Sequence, residues 1–187
     1  EPITINEQPI ELDGDEVLEI KNQHYIQKGP ITLRDRARLI IKNATFEQRY
    51  GATGAGLEAK NVAAVRVENS ELHFDPGIAW KFMGQSSLYV RHIAEASDAR
   101  PYYEFSESAR AEIANAGFTG KISGLADVAI AHSDNIYIDL DLNGGARVDT
   151  RFPRQIKEFS FPQGNSNISY RLNITDSTVA QWGIIIH

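Results

Sequence analysis

The residues best suited to chemistry lie in one segment, 136–152. Asp139, Asp141 and Asp149 supply carboxylates, and Arg147 and Arg151 supply cations. A carboxylate pair at the right separation can cleave a glycosidic bond, one group as acid and the other as base or nucleophile. Asp139 and Asp141 are also oxygen ligands of the kind Ca²⁺ accepts. An arginine beside such a pair is the base or charge neutraliser that a polysaccharide lyase requires. These five residues are therefore the catalytic candidates. The same pattern also describes ion pairs across neighbouring strands on a solvated face, which contribute little stability.

A second group can bind without reacting. Arg100, Tyr102 and Tyr103 sit in the segment Ser97–Ser108, and Tyr137 shares a strand face with Asp139. Tyrosines beside an arginine can stack on a sugar ring, or they can fold back over the core. Ile78, Trp80 and Phe82 alternate on one strand face, and core packing is the expected role for them. The Gly-rich stretch Arg49–Gly56 has no following Gly-Lys-Ser/Thr, so it reads as a loop and not as a phosphate cradle.

Other chemistry is excluded or weak. There are no cysteines, which removes disulfides and thiolate metal sites. The five histidines are scattered without ligand spacing, so zinc is not expected. No cofactor is expected apart from Ca²⁺ at Asp139 and Asp141. A net charge of −6 without a Lys/Arg cluster argues against nucleic acid as a partner. No apolar run approaches the roughly 18 residues that span a bilayer, so membrane insertion is not expected. The chain begins at Glu1, as a mature secreted chain or a fragment of a longer surface protein would.

The elements that must position these residues follow from an internal repeat. Leu39-Ile40-Ile41-Lys42-Asn43-Ala44-Thr45-Phe46 reads apolar, any, apolar, any, Asn, small, any, apolar. The pattern recurs from Leu18, Val65, Ala111 and Leu172, and weaker copies put His92 and His132 in the Asn column. The central apolar residue falls at Ile20, Ile41, Val67, Val90 and Ile113, in steps of 21, 26, 23 and 23. Short alternating runs bounded by Gly, Asn, Asp and Ser are strands and turns. Strands repeating at about 23 residues, with no helical half, make a solenoid of stacked coils. Asn22, Asn43, Asn69 and Asn115 are expected to turn a sharp corner in the left-handed region and to bond to each other as an asparagine ladder.

This pattern, clearest over Glu16–Phe46 with Gly29-Pro30-Ile31-Thr32-Leu33 continuing the coil, resembles the pectate-lyase-like β-helix superfamily. The resemblance implies an all-β, right-handed, single-stranded parallel β-helix and an extracellular or cell-surface setting. At about 23 residues per coil, residues 1–187 form one domain of seven to eight coils. The Asn-Thr-Asp, Asp-Asp, Gly-His-Gly and Arg-Ile-Lys motifs of the polygalacturonase-like members are absent, and Arg154-Gln155-Ile156-Lys157 carries an extra residue.

Two ways of presenting Asp139, Asp141 and Asp149 are open. A hairpin with a three-residue loop at 143–145 would pair Asp141 with Arg147 and Asp139 with Asp149. A sharp solenoid corner would separate them. The leading functional expectation is a non-catalytic secreted or surface module that binds a polysaccharide or a protein, or acts as a spacer. The competing one is a lyase or hydrolase acting on an acidic polysaccharide. The edge at Trp182–Ile186 is expected to need cover from another domain or subunit.

Overall fold

A computed structural model describes residues 2–94 and 101–131, and the strands 136–140, 147–151, 156–161, 172–175 and 184–186; side chains are described for 2–93 and 101–130. Strands β1 (Ile3–Asn6) and β2 (Ile10–Leu12) open the stack. Two three-sided coils follow: β3 (Val17–Lys21), β4 (His24–Lys28) and β5 (Ile31–Leu33), then β6 (Arg38–Lys42), β7 (Thr45–Arg49) and β8 (Leu57–Ala59). Next come β9 (Ala64–Phe74) with β10 (Ala79–Phe82), and β11 (Ser87–Ala94) with β12 (Tyr102–Phe105). The stack continues through β13 (Arg110–Ala114), β14 (Phe118–Ile122), β15 (Asp127–Ala131) and β16 (Ile136–Leu140). It ends with β17 (Arg147–Arg151), β18 (Ile156–Phe161), β19 (Leu172–Thr175) and β20 (Ile184–Ile186).

All pairing between these strands is parallel, and every strand pairs with its counterpart one coil away. One sheet runs β1-β4-β7-β9-β11-β13-β15-β17-β19, with β3 and β6 joining it beside β9. The other runs β2-β5-β8-β10-β12-β14-β16-β18-β20. The molecule is a parallel β-solenoid. Nine strands in the second sheet match an expectation of seven to eight coils only roughly.

The repeat column is real in space. Ile20, Ile41, Val67, Val90, Ile113 and Ile130 follow one another in register and are buried. Leu18, Leu39, Val65, Leu88, Ala111 and Val128 form a second inward column. Period-two alternation makes both, because every second side chain points inward. Beyond Ile113 the step shortens to 17 at Ile130 and then to 20 at Thr150. That shortening is why the repeat drifts in the sequence after Ala116.

Aromatic side chains from successive coils meet in the interior. Tyr25 and Phe46 stack at 6.1 Å, Trp80 meets Phe74 edge-on at 5.3 Å, and Phe82 stacks on Phe105 at 5.1 Å. Ile78, Trp80 and Phe82 are buried, as their alternation requires.

The corners carry the backbone strain. Asn22, Asn43, Asn69, His92 and Asn115 all have φ between 47° and 54°. The left-handed expectation holds for each, including His92; His132 lies outside the described residues. No side-chain ladder joins these residues among the described ones. Asn22, Asn43, Asn69 and His92 are exposed and Asn115 is half-buried, and the corner bonds are Asn22 N to Lys42 O (3.2 Å), Asn43 N to Glu68 O (3.1 Å) and Ala44 N to Ser70 Oγ (3.2 Å). A local turn needs the left-handed backbone, but it can point the amide outward, where water satisfies it.

The buried amide ladder lies elsewhere. Asn6 Nδ2 donates to Gln27 Oε1 (2.8 Å), and Gln27 Nε2 donates to Gln8 O (2.8 Å). One coil on, Gln48 Nε2 donates to Gly56 O (2.7 Å) and Gly29 O (3.2 Å), and Trp80 Nε1 donates to Gln48 Oε1 (2.7 Å). Gln27 and Gln48 are fully buried. They satisfy carbonyls where the chain turns into the second sheet, which burial would otherwise penalise.

Candidate functional site

The structure separates the catalytic candidates. Tyr137 and Asp139 lie on β16 in the second sheet, whereas Arg147, Asp149 and Arg151 lie on β17 in the first. The hairpin pairing of Asp139 with Asp149 is not made. Each strand pairs in parallel with the coil before it, so Asp139 is in register with Lys121, and Arg147 with Asp127. Residues 141–146, on which the corner reading falls, lie outside the described residues. Asp141 and Arg100 lie outside the described residues, as do the side chains of Tyr137, Asp139, Arg147, Asp149 and Arg151.

Within the binding group, Tyr102–Phe105 is a strand of the second sheet, in register with Ala79–Phe82. Tyr103 therefore points inward and is only 3% exposed. Its ring stacks on Phe118 at 5.6 Å and meets Trp80 edge-on at 6.2 Å. The ring is committed to the core, not to a sugar. Alternation leaves Tyr102 on the outer side, half-buried.

A concave site forms two coils earlier, on the outside of the second sheet. The step from Ile41 to Val67 is the longest in the regular part of the stack, and the extra residues fall between β7 and β8. Gly51 and Gly54 bond to each other there, N to O at 2.9 and 3.1 Å, closing a tight outward turn. Tyr50, 54% exposed, stands at its base. Its amide donates to Asp75 Oδ2 (3.0 Å) and its hydroxyl to Pro76 O (3.3 Å), so the next coil holds it in place. Gly56 then returns to the sheet at φ 108°, where a Cβ would lie 2.8 Å from Ala79 O. Only glycine fits that approach.

The turn walls a cleft of about 400 Å³ over β5, β8 and β10. Thr32, Glu58 and Lys81 line it from successive strands, in register. Glu58 pairs with Lys60 at 3.0 Å, and Lys81 approaches Glu104 at 3.9 Å. One aromatic ring, one hydroxyl, one carboxylate and one ammonium thus share a concave surface. That set can stack a pyranose and hydrogen-bond its hydroxyls. Sequence reasoning marked 49–56 as a loop but not as a wall. The available signal was the step of 26 where its neighbours are 21 and 23.

Elsewhere several charged groups pair with one another. His24 Nε2 lies 2.5 Å from Glu47 Oε1, and Arg49 Nε donates to Glu47 Oε2 at 2.8 Å. Burial pushes the Glu47 carboxyl up, but the hydrogen bonds from Arg49 and His24 outweigh it and hold the group below its ordinary range. Glu68 is held low by Arg66, bonded at 2.7 Å, with Lys42 adding to the effect. Asp15 is held low by the two-pronged bond from Arg36 at 2.6 and 2.8 Å. No group of three or more His, Asp or Glu suited to a metal ion occurs among the described residues.

Comparison of the chain with protein-family models, with curated proteins and with solved structures finds no match.

Proposed function

We propose that the protein is a non-catalytic, secreted or cell-surface β-solenoid module that binds carbohydrate. The cleft beside Tyr50 carries this reading, because its wall is an insertion that the solenoid does not need for its own stacking. Pockets that combine an aromatic surface with a few converging polar groups are the usual form of a small-ligand site. The resemblance of the repeat to the pectate-lyase-like superfamily implies an extracellular setting.

The reading is tested by titrating the protein with neutral and acidic oligosaccharides in a calorimeter. Tyr50→Ala is expected to weaken binding roughly tenfold or more while leaving the melting temperature within a few degrees. Unchanged affinity in Tyr50→Ala would move the site off this cleft. Release of reducing ends from a polysaccharide, abolished in Asp139→Ala/Asp141→Ala, would replace the binding module with a lyase or hydrolase.

A further inference from the structure

The outer face of the second sheet carries a charge pattern that coil stacking does not require. Glu58 on β8, Lys81 on β10, Glu104 on β12 and Lys121 on β14 stand in one register column, each directly opposite the next. Burial alternates along each of these strands, and all four residues fall on the solvent side. Neighbouring rungs lie about 4.8 Å apart, so the column reads minus, plus, minus, plus at even spacing and sums to zero. Within the chain, Lys81 Nζ comes no closer than 3.9 Å to Glu104 Oε2, and Glu58 pairs with Lys60 of its own coil at 3.0 Å. Beside Lys81 and Glu104 run Ala79 and Tyr102, a small residue opposite a large one, both half-buried.

An alternating column with an even number of charges is complementary to its own reverse. A second copy set face to face with the first meets this condition when a two-fold axis lies in the interface, runs along the strands and passes between β10 and β12. The order of coils then reverses, while position along each strand is kept. Lys81 faces Glu104 of the second copy, Glu58 faces Lys121 of the second copy, and each contact occurs twice, as a two-fold axis demands. The same operation sets Tyr102 over Ala79 of the second copy, large on small. Sliding the copies so that the axis passes through a rung sets like charge on like, so the pattern selects one register.

We infer that this face is a self-association surface on which two copies of the chain pair antiparallel. Charge matching supplies orientation and register more than affinity. Exposed ion pairs contribute little each. Four rungs of four residues cover roughly 20 by 13 Å, well below the roughly 800 Å² per partner of a standard stable interface. The dimer is therefore weak and sensitive to salt. Glu58 and Lys81 also line the cleft beside Tyr50, so a second copy and a cleft ligand exclude each other. The pairing itself does not depend on that ligand being a carbohydrate.

The test is sedimentation equilibrium of the whole chain up to about 1 mM, the weak end of specific affinities, at low and high NaCl. A monomer–dimer equilibrium is expected, weakened by salt. Lys81→Glu and Glu104→Lys are each expected to weaken it about tenfold or more, with unchanged circular dichroism spectra. Mixed together, the two variants are expected to associate with the parental affinity, because each reversed charge then faces the other and the remaining pairs are kept. A monomer at every concentration, a dimer that both single reversals leave intact, or two variants that fail to associate when mixed would overturn the inference.

Discussion

Gln48 illustrates how single residues decide the corners of this solenoid. Its amide answers two carbonyls, Gly56 O and Gly29 O, and accepts from the Trp80 indole. All these groups are shut away from water, so removing the amide leaves several of them unpaired. Gln48→Leu is expected to cost about 3 kcal/mol in urea unfolding, the scale set by orphaned buried polar groups. Glu47, the preceding residue, points outward and makes stability depend on pH. Its carboxyl is lowered in the folded state, so the unfolded chain takes up a proton first as pH falls. The contribution is present above about pH 4.5 and is lost as pH drops through the folded value. The urea midpoint is expected to fall more steeply between about pH 5 and pH 3 in the parent than in Glu47→Gln. Equal slopes would show that His24 and Arg49 do not protect the carboxylate.

At the scale of the element, each coil turns at residues with positive φ. The Asn22–Asn115 column was readable because asparagine tolerates the left-handed region and recurs within a fixed motif. A second column was not. Gly14, Asp35, Asn61, Gly84, Glu107 and Gly124 all have φ between 55° and 67°. Their types differ because glycine tolerates this backbone without help, while the others gain side-chain support. Asn61 Nδ2 donates to Asp35 Oδ1 at 2.9 Å, and Glu107 Oε2 accepts from Gly84 N at 2.6 Å. At Gly84 a Cβ would lie 3.0 Å from the Asn61 amide nitrogen and carbonyl oxygen. Gly84→Ala is therefore expected to destabilise by about 2 kcal/mol. At the readable corner, Asn69→Val is expected to cost about 2 kcal/mol and Asn69→Gly under about 1 kcal/mol. Chemical denaturation of the three variants checks this. Equal costs for valine and glycine would mean that the positive φ is not what selects asparagine.

Across the whole molecule, each coil touches mainly the coils on either side, so stability is shared between neighbours. The register Ser87 to Arg110 makes one coil a step of 23 residues. Deleting 87–109 joins Ser86 to Arg110 in the same register. The shortened chain is expected to keep a β-type circular dichroism spectrum and a cooperative transition, with a smaller urea m-value because less surface is exposed on unfolding. Loss of all structure would mean that the coils stand or fall together. Outward residues are free of packing demands, so successive coils can repeat one charge on one side and balance it on another.

The sequence by itself determined the inward columns, the parallel stacking and the asparagine corner, because side-chain alternation and turn chemistry act within a few residues. Only the tertiary structure decided which outward residues meet. Rung neighbours stand between 17 and 26 residues apart, and that step changes from coil to coil. A shift of one residue would exchange the inner and outer faces, and no repeat marks where the inserted turn returns to the sheet, so the pattern could not seat Tyr50 beside Glu58 and Lys81. Asp139 and Asp149 show the same limit from the other side. Ten positions apart in a pattern that suits a hairpin, they fall on different sheets because a solenoid pairs each strand with the preceding coil and not with its neighbour in sequence.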